Sequence, residues 1–197
     1  MELLYKISTW AIPVIIAITI HEVAHGYTAW KLGDDTARRA GRLTLNPIAH
    51  VHPVGTILMP GALLLLGLPP FGFAKPVPVD FRRLHHPKSD MVWVAGAGPA
   101  INIILAAASA LLLNVVQFMP VGTQHWFADT LEISIIINLV LAIFNMIPVP
   151  PLDGGRVAVG LLPIPAARAL AQVERYGLPI IFGALLIPCQ RPCSEPI

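Results

Sequence analysis

Two histidines four residues apart, with a glutamate directly after the first, lie inside an otherwise apolar stretch: His21-Glu22-Val23-Ala24-His25. On a helix, residues four apart share a face, so both imidazoles can reach one metal ion. Glu22 stands where a carboxylate can take a proton from metal-activated water without being a ligand itself. The pattern is short and occurs by chance in soluble chains, so its surroundings matter. Ionisable groups inside an apolar span are costly and are functional by default. The competing reading is a polar patch holding helices together, for which Ser, Thr and Asn are the commoner choice.

Two imidazoles do not complete a hydrolytic zinc site, which normally has three protein ligands and an open position. The best further acid is Asp153, in Asn145-Met-Ile-Pro-Val-Pro-Pro-Leu-Asp153-Gly-Gly155. It follows a proline-broken helix end and precedes two glycines, so the backbone there can turn the carboxylate back toward the apolar layer. On local sequence alone, Asp153 is equally suited to cap the N-terminus of the next segment. Asp129 and Glu132 lie at the other end of the preceding apolar run.

The elements that must hold these residues are legible from composition. The 197 residues are 55% hydrophobic and 12% charged, with a mean hydropathy of +0.70. Soluble domains carry about a quarter charged residues. No Asp, Glu, Lys or Arg occurs from Ile7 to His21, Leu43 to Ala74, Met91 to Ala128 or Ile133 to Leu152. A bilayer crossing needs about 20 such residues. The chain therefore reads as an all-α polytopic membrane protein and one domain over residues 1–197. The net charge of +2 gives no argument for nucleic acid. The N-terminal apolar run has no small-residue cleavage site and is expected to be retained. Cys189 and Cys193 sit together in the tail and say little about redox compartment.

Four spans are expected: Ile7–Trp30, Met91–Phe118, Thr130–Ile147 and Tyr176–Ile187. Gly41 to Asn46 alternates like a strand. Val54 to Phe71 is apolar but short and broken by Pro60 and Gly61. The segments 31–42, 75–88 and 156–175 are basic, whereas 119–132 has no Lys or Arg. If Val54–Phe71 re-enters instead of crossing, all three basic segments share the cytoplasmic side, as the positive-inside tendency requires. Such an element is tolerated where protein or water satisfies its backbone. The fold expected is thus about four transmembrane helices, a re-entrant element and a short membrane-associated β-hairpin at Gly72–Val79. On one edge of that segment Pro76 and Pro78 lack donors, while Lys75, Val77 and Val79 on the other edge could pair with an extended substrate. A proline-rich interfacial loop is the alternative.

The chain resembles the site-two protease family of intramembrane zinc metalloproteases, from about the first span through Arg156. His21-Glu22-Val23-Ala24-His25 matches its first motif, Asn145 through Asp153-Gly154 its second, and Gly98-Pro99-Ala100-Ile101-Asn102 a helix motif between them. No PDZ or CBS module is present, so the likeness is to the minimal members. Phe73 stands where the family's hairpin often has Trp, and His52 where an Asp is common. The resemblance implies that His21, His25 and Asp153 bind one Zn2+, that Glu22 is the general base and that Asn145 helps stabilise the oxyanion. It implies an active site toward the cytoplasmic side of the cell membrane, with transmembrane proteins as substrates and the bilayer as surroundings.

In such a mechanism, zinc polarises the scissile carbonyl and acidifies water, and Glu22 passes a proton to the leaving amine. An oxyanion donor such as Asn145 is worth about 3–4 kcal/mol. The oligomeric state is not readable from the sequence. The other histidines, His50, His52, His85, His86 and His125, lie near span ends or in basic loops, with His50 and His52 a conceivable accessory metal pair. Asn102 fits helix packing, and the tryptophans fit interfacial anchoring. The rival class is a membrane metal-binding protein or transporter using the same cluster. A transporter favours paired repeats and polar groups spread over several spans, whereas here they converge. An inactive scaffold is the other rival, and the intact set of four residues argues against it.

Overall fold

The computed structural model describes residues 2–59, 62, 65 and 75–173; helix also occurs over 164–173, and five α-helices have both ends among the described residues. They are α1 (Glu2–Lys31), α2 (Thr36–Arg39), α3 (Pro87–Val116), α4 (Val121–Asn145) and α5 (Asp153–Leu161). Among the described residues, three helical stretches are long and apolar enough to cross a bilayer: Leu4–Lys31, Pro87–Val116 and Val121–Asn145. They coincide with the three charge-poor runs expected to span, although α4 starts nine residues before Thr130. Leu111, Leu112, Ile103, Ile104, Ile136 and Ile143 all point outward and are more than half exposed. In water such a surface would be an aggregation liability; hydrocarbon is its natural solvent.

α3 is the central helix and packs against α1, α4 and α5, while α1 also packs on α4. Each end has a local cause. α1 closes with Gly33 at φ +110°, the Asp34 N–H reaching the Ala29 carbonyl at 2.9 Å and the Gly33 N–H reaching that of Trp30 at 3.3 Å. This is the Schellman arrangement, which uses glycine because the left-handed backbone penalises a Cβ. Asp34, fully buried, then accepts from the Thr36 hydroxyl, from Thr36 N at 3.0 Å and from Asp80 N at 2.7 Å. It ties the end of α1 to the chain entering α3. α3 opens with Pro87, where a missing N–H costs nothing, and the Asp90 carboxylate reaches back to His86 N at 2.7 Å. α4 stops before Pro148, Pro150 and Pro151.

Two strand expectations fail. Gly41–Asn46 is irregular, and no sheet occurs among the described residues. Lys75–Val79 is neither helix nor strand, and no strand pairs with it among the described residues. Pro76 and Pro78 cannot donate, and the Lys75 N–H goes to the His50 carbonyl at 2.9 Å. The Val77 N–H goes to Glu22 Oε2 at 2.8 Å. Two of the three donors on the proposed substrate edge are thus engaged within the chain. Gly72 to Ala74, most of the Val54–Phe71 element and the span at Tyr176–Ile187 lie outside the described residues; Pro53–Leu58 is a turn of π-helix. The described part accordingly carries three candidate spans where four were expected.

Candidate metal centre

His21 and His25 lie on the inward face of α1, and both are at least nine-tenths buried. Their Nε2 atoms are 3.0 Å apart. Asp153 Oδ2 lies 3.2 Å from His21 Nε2 and 3.3 Å from His25 Nε2. Among the described residues this is the one group of three or more His, Cys, Asp or Glu side chains able to hold a metal. Tetrahedral zinc with bonds of 2.0–2.2 Å requires ligand atoms about 3.3–3.6 Å apart, so the triangle has nearly the edge lengths of a zinc site.

The donor set fits a cation for a chemical reason as well. The Nδ1 of His25 lies 2.7 Å from the Val94 carbonyl, which can only accept, so Nδ1 carries the proton and Nε2 a lone pair. Asp153 Oδ2 is buried, and no hydrogen-bond donor satisfies it. Lone pairs converging at about 3 Å in a low-dielectric pocket repel unless a positive charge lies between them.

Three elements create the pocket. Asp153 is the first residue of α5, and Leu152 takes the N-cap position. The capping reading of Asp153 therefore gives way to one in which its carboxylate faces the imidazoles. The chain reaches this position through a tight turn after α4, including a cis Pro150–Pro151 bond. A Cβ on Gly154 would meet the Ile147 carbonyl oxygen at 2.7 Å, and one on Gly155 would meet Pro150 Cα at 2.7 Å. Those two glycines are what let the turn close. From the other side, α3 contributes one stripe at four-residue spacing. The Val94 carbonyl holds His25, Gly98 leaves room for both rings, and Asn102 Oδ1 lies 2.5 Å from His21 Nδ1.

Glu22 is not among the three converging groups. Its carboxylate instead accepts from Val77 N, which orients it beside segment 75–79. Arg42 fastens that segment through a 2.8 Å bond to the Lys75 carbonyl. Asn145, at the last position of α4, donates from Nδ2 to the Leu141 carbonyl at 3.0 Å and still has a second N–H. His50 and His52 make local backbone bonds, to Thr44 O and from Gly55 N. Sequence reasoning passed over Asn138, which is 1% exposed and bonded to Asn102 at 2.7 Å. Its signal was present: a polar amide in the middle of an uncharged apolar run.

Residues 122–188 match the model of peptidase family M50. YwhC of Bacillus subtilis, provisionally named a zinc metalloprotease, is 44% identical over 181 residues, covering 89% of this chain and 78% of YwhC. The chain belongs to peptidase family M50, the site-two proteases. Zinc is the cofactor that this kinship assigns to it. Rip2 of Mycolicibacterium smegmatis, also provisionally named a zinc metalloprotease, is 27% identical; the match covers 88% of this chain and 65% of Rip2. The zinc metalloprotease MJ0392 of Methanocaldococcus jannaschii is 26% identical over 78% of this chain and 35% of its own length. No solved structure matches the chain. Membership of M50 and three apolar helices together make this an integral membrane protein.

Proposed function

We propose that this M50 protein hydrolyses peptide bonds within the transmembrane segments of other membrane proteins. In this reading residues 1–197 act as one catalytic domain in the cell membrane, with the active site toward the cytoplasm. The observation that carries the reading is the convergence of His21 Nε2, His25 Nε2 and Asp153 Oδ2, 3.0–3.3 Å apart, with both histidines on a helix fit to cross a bilayer. These three residues would hold one zinc ion. Bound there, zinc would supply Lewis-acid polarisation of the scissile carbonyl and acidify water.

The chain's own groups divide the other tasks. Glu22 lies next in sequence to a ligand without joining the triangle, so its carboxylate is available to take the proton of the attacking water and deliver it to the leaving amine. The Val77 N–H fixes the direction of that carboxylate through one oxygen and leaves the other for chemistry. Asn145 offers its second amide N–H to the developing oxyanion. A helical substrate must unwind first, because its carbonyls are already hydrogen-bonded. The re-entrant disposition of Val54–Phe71 and a further span at Tyr176–Ile187 complete the proposed topology.

Metal removal tests the reading. Detergent-purified protein should contain about one zinc per chain and cleave members of a panel of single-span proteins. Chelation should abolish cleavage, and added zinc should restore it. A metal-free preparation that cuts at the full rate would rule the reading out.

A further inference from the structure

The buried amides of Asn102 and Asn138 form a chain whose direction can be read atom by atom. Asn138 Nδ2 lies 2.8 Å from the Ser134 carbonyl, and a carbonyl only accepts. The amide is thereby fixed, with its Oδ1 toward Asn102. Across that 2.7 Å contact only Asn102 Nδ2 can donate. The same Nδ2 faces a second carbonyl, that of Ala17, at 3.5 Å, where an oxygen would be repelled. Asn102 Oδ1 therefore faces His21 Nδ1, and the bond requires a proton on that nitrogen. Ser134 Oγ, 2.8 Å from Ser109 Oγ, continues the network between α4 and α3. Asn102 is fully buried, so water cannot substitute for either partner.

We infer that Asn102 and Asn138 are positioning residues that lock His21 in its Nδ1–H tautomer and so aim its Nε2 lone pair at the zinc. The inference rests on His21 being a zinc ligand. It also exposes an asymmetry within the ligand pair. His25 is held by a backbone carbonyl, which no substitution removes, whereas His21 depends on two side chains from two other helices. Partners of this kind orient a metal-bound imidazole and raise its basicity, and losing one typically lowers metal affinity about 10–100-fold.

Zinc affinity by chelator competition, and the visible bands of the cobalt-substituted protein, read this directly. Asn102→Leu should weaken zinc about 10–100-fold and shift the cobalt bands. Asn138→Leu should act in the same direction but less, because Asn102 is then free to turn its amide. Asn102→Asp keeps an acceptor for His21 while setting an oxygen against Asn138 Oδ1. It should recover zinc affinity and the cobalt bands even as thermal stability falls, which separates positioning from mere packing. Should the Leu variants not fold, nitrogen-15 histidine spectra of the wild-type zinc protein decide: His21 should show a protonated Nδ1 and a metal-bound Nε2. Wild-type zinc affinity and cobalt bands in both folded Leu variants, or a protonated Nε2 at His21, would overturn the inference. Asp153→Ala keeps the two readings apart. If it retains zinc in full, the ligand set itself is wrong; if it loses zinc while the Leu variants do not, only the tautomer lock fails.

Discussion

A methyl group at position 98 would lie 2.6 Å from His21 Nε2 and closer still to His25 Nε2, whereas one at position 96 would meet nothing within 4 Å. Both glycines are on α3, so helix propensity favours alanine equally at each. Gly98→Ala is expected to displace the imidazoles and weaken zinc by about tenfold or more, while Gly96→Ala should leave affinity and stability nearly unchanged. Isothermal or chelator titration of the two variants side by side checks this; equal affinities would mean that the rings do not sit where α3 leaves space for them. Asn145 makes a separate prediction. Asn145→Ala should lower turnover about 10²–10³-fold with zinc content unchanged, as removal of an oxyanion donor does. Weak substrate binding with ordinary turnover would instead make Asn145 a recognition residue. The two histidines and Glu22 were legible because ionisable groups stand out in an apolar run. Asp153 was legible only as one of two readings, since a carboxylate after prolines and before glycines suits a cap as well as a ligand. What brings its carboxylate to the imidazoles is the fold-back of α5, a tertiary event that no local pattern encodes.

Helices announced themselves better than anything else at the scale of elements. A stretch that must satisfy its backbone in hydrocarbon has to be helical, so the absence of charge from Met91 to Ala128 and from Ile133 to Leu152 was enough to find α3 and most of α4. Strand expectations at Gly41–Asn46 and Gly72–Val79 rested on alternation and proline spacing, which describe an extended chain without supplying a partner. Lys75–Val79 has no partner strand among the described residues, and the donors of Lys75 and Val77 go to His50 and Glu22. The α4–α5 turn carries its own prediction. Gly154→Ala would press a methyl group against the Met146 and Ile147 carbonyls, so the turn must open and carry Asp153 away. Zinc content should fall while the helical circular dichroism of the spans persists. Loss of helix in step with zinc would mean that the turn supports the fold and not the site alone. For Val54–Phe71, cysteines at Thr44 and Ser89 in a background lacking Cys189 and Cys193 should both react with an impermeant thiol reagent from the cytoplasmic face. Labelling from opposite faces would make the element a true span.

At the scale of the molecule, large apolar side chains face outward among the described residues, while polar groups share the interior with small apolar ones. Ile143, Leu111 and Phe118 face outward, each at least 70% exposed, while His21, Asn102, Asn138 and Asp34 are buried. Burying polar groups in hydrocarbon without partners would be prohibitive, and the partners are present: α1, α3 and α4 meet through His21, Asn102 and Asn138. The polar groups thus hold the bundle together and shape a metal pocket at once, two readings that from the residues alone had seemed to compete. The central claim is that a zinc ion held by His21, His25 and Asp153, with Glu22 as base, cuts membrane-embedded peptide bonds. Its most direct test compares wild type with Glu22→Gln at equal zinc content, by mass-spectrometric mapping of the products from a single-span protein. The expected result is cleavage within the transmembrane segment by wild type and none by the variant. Cleavage by Glu22→Gln at the wild-type rate, or cuts confined to the soluble flanks, would contradict it.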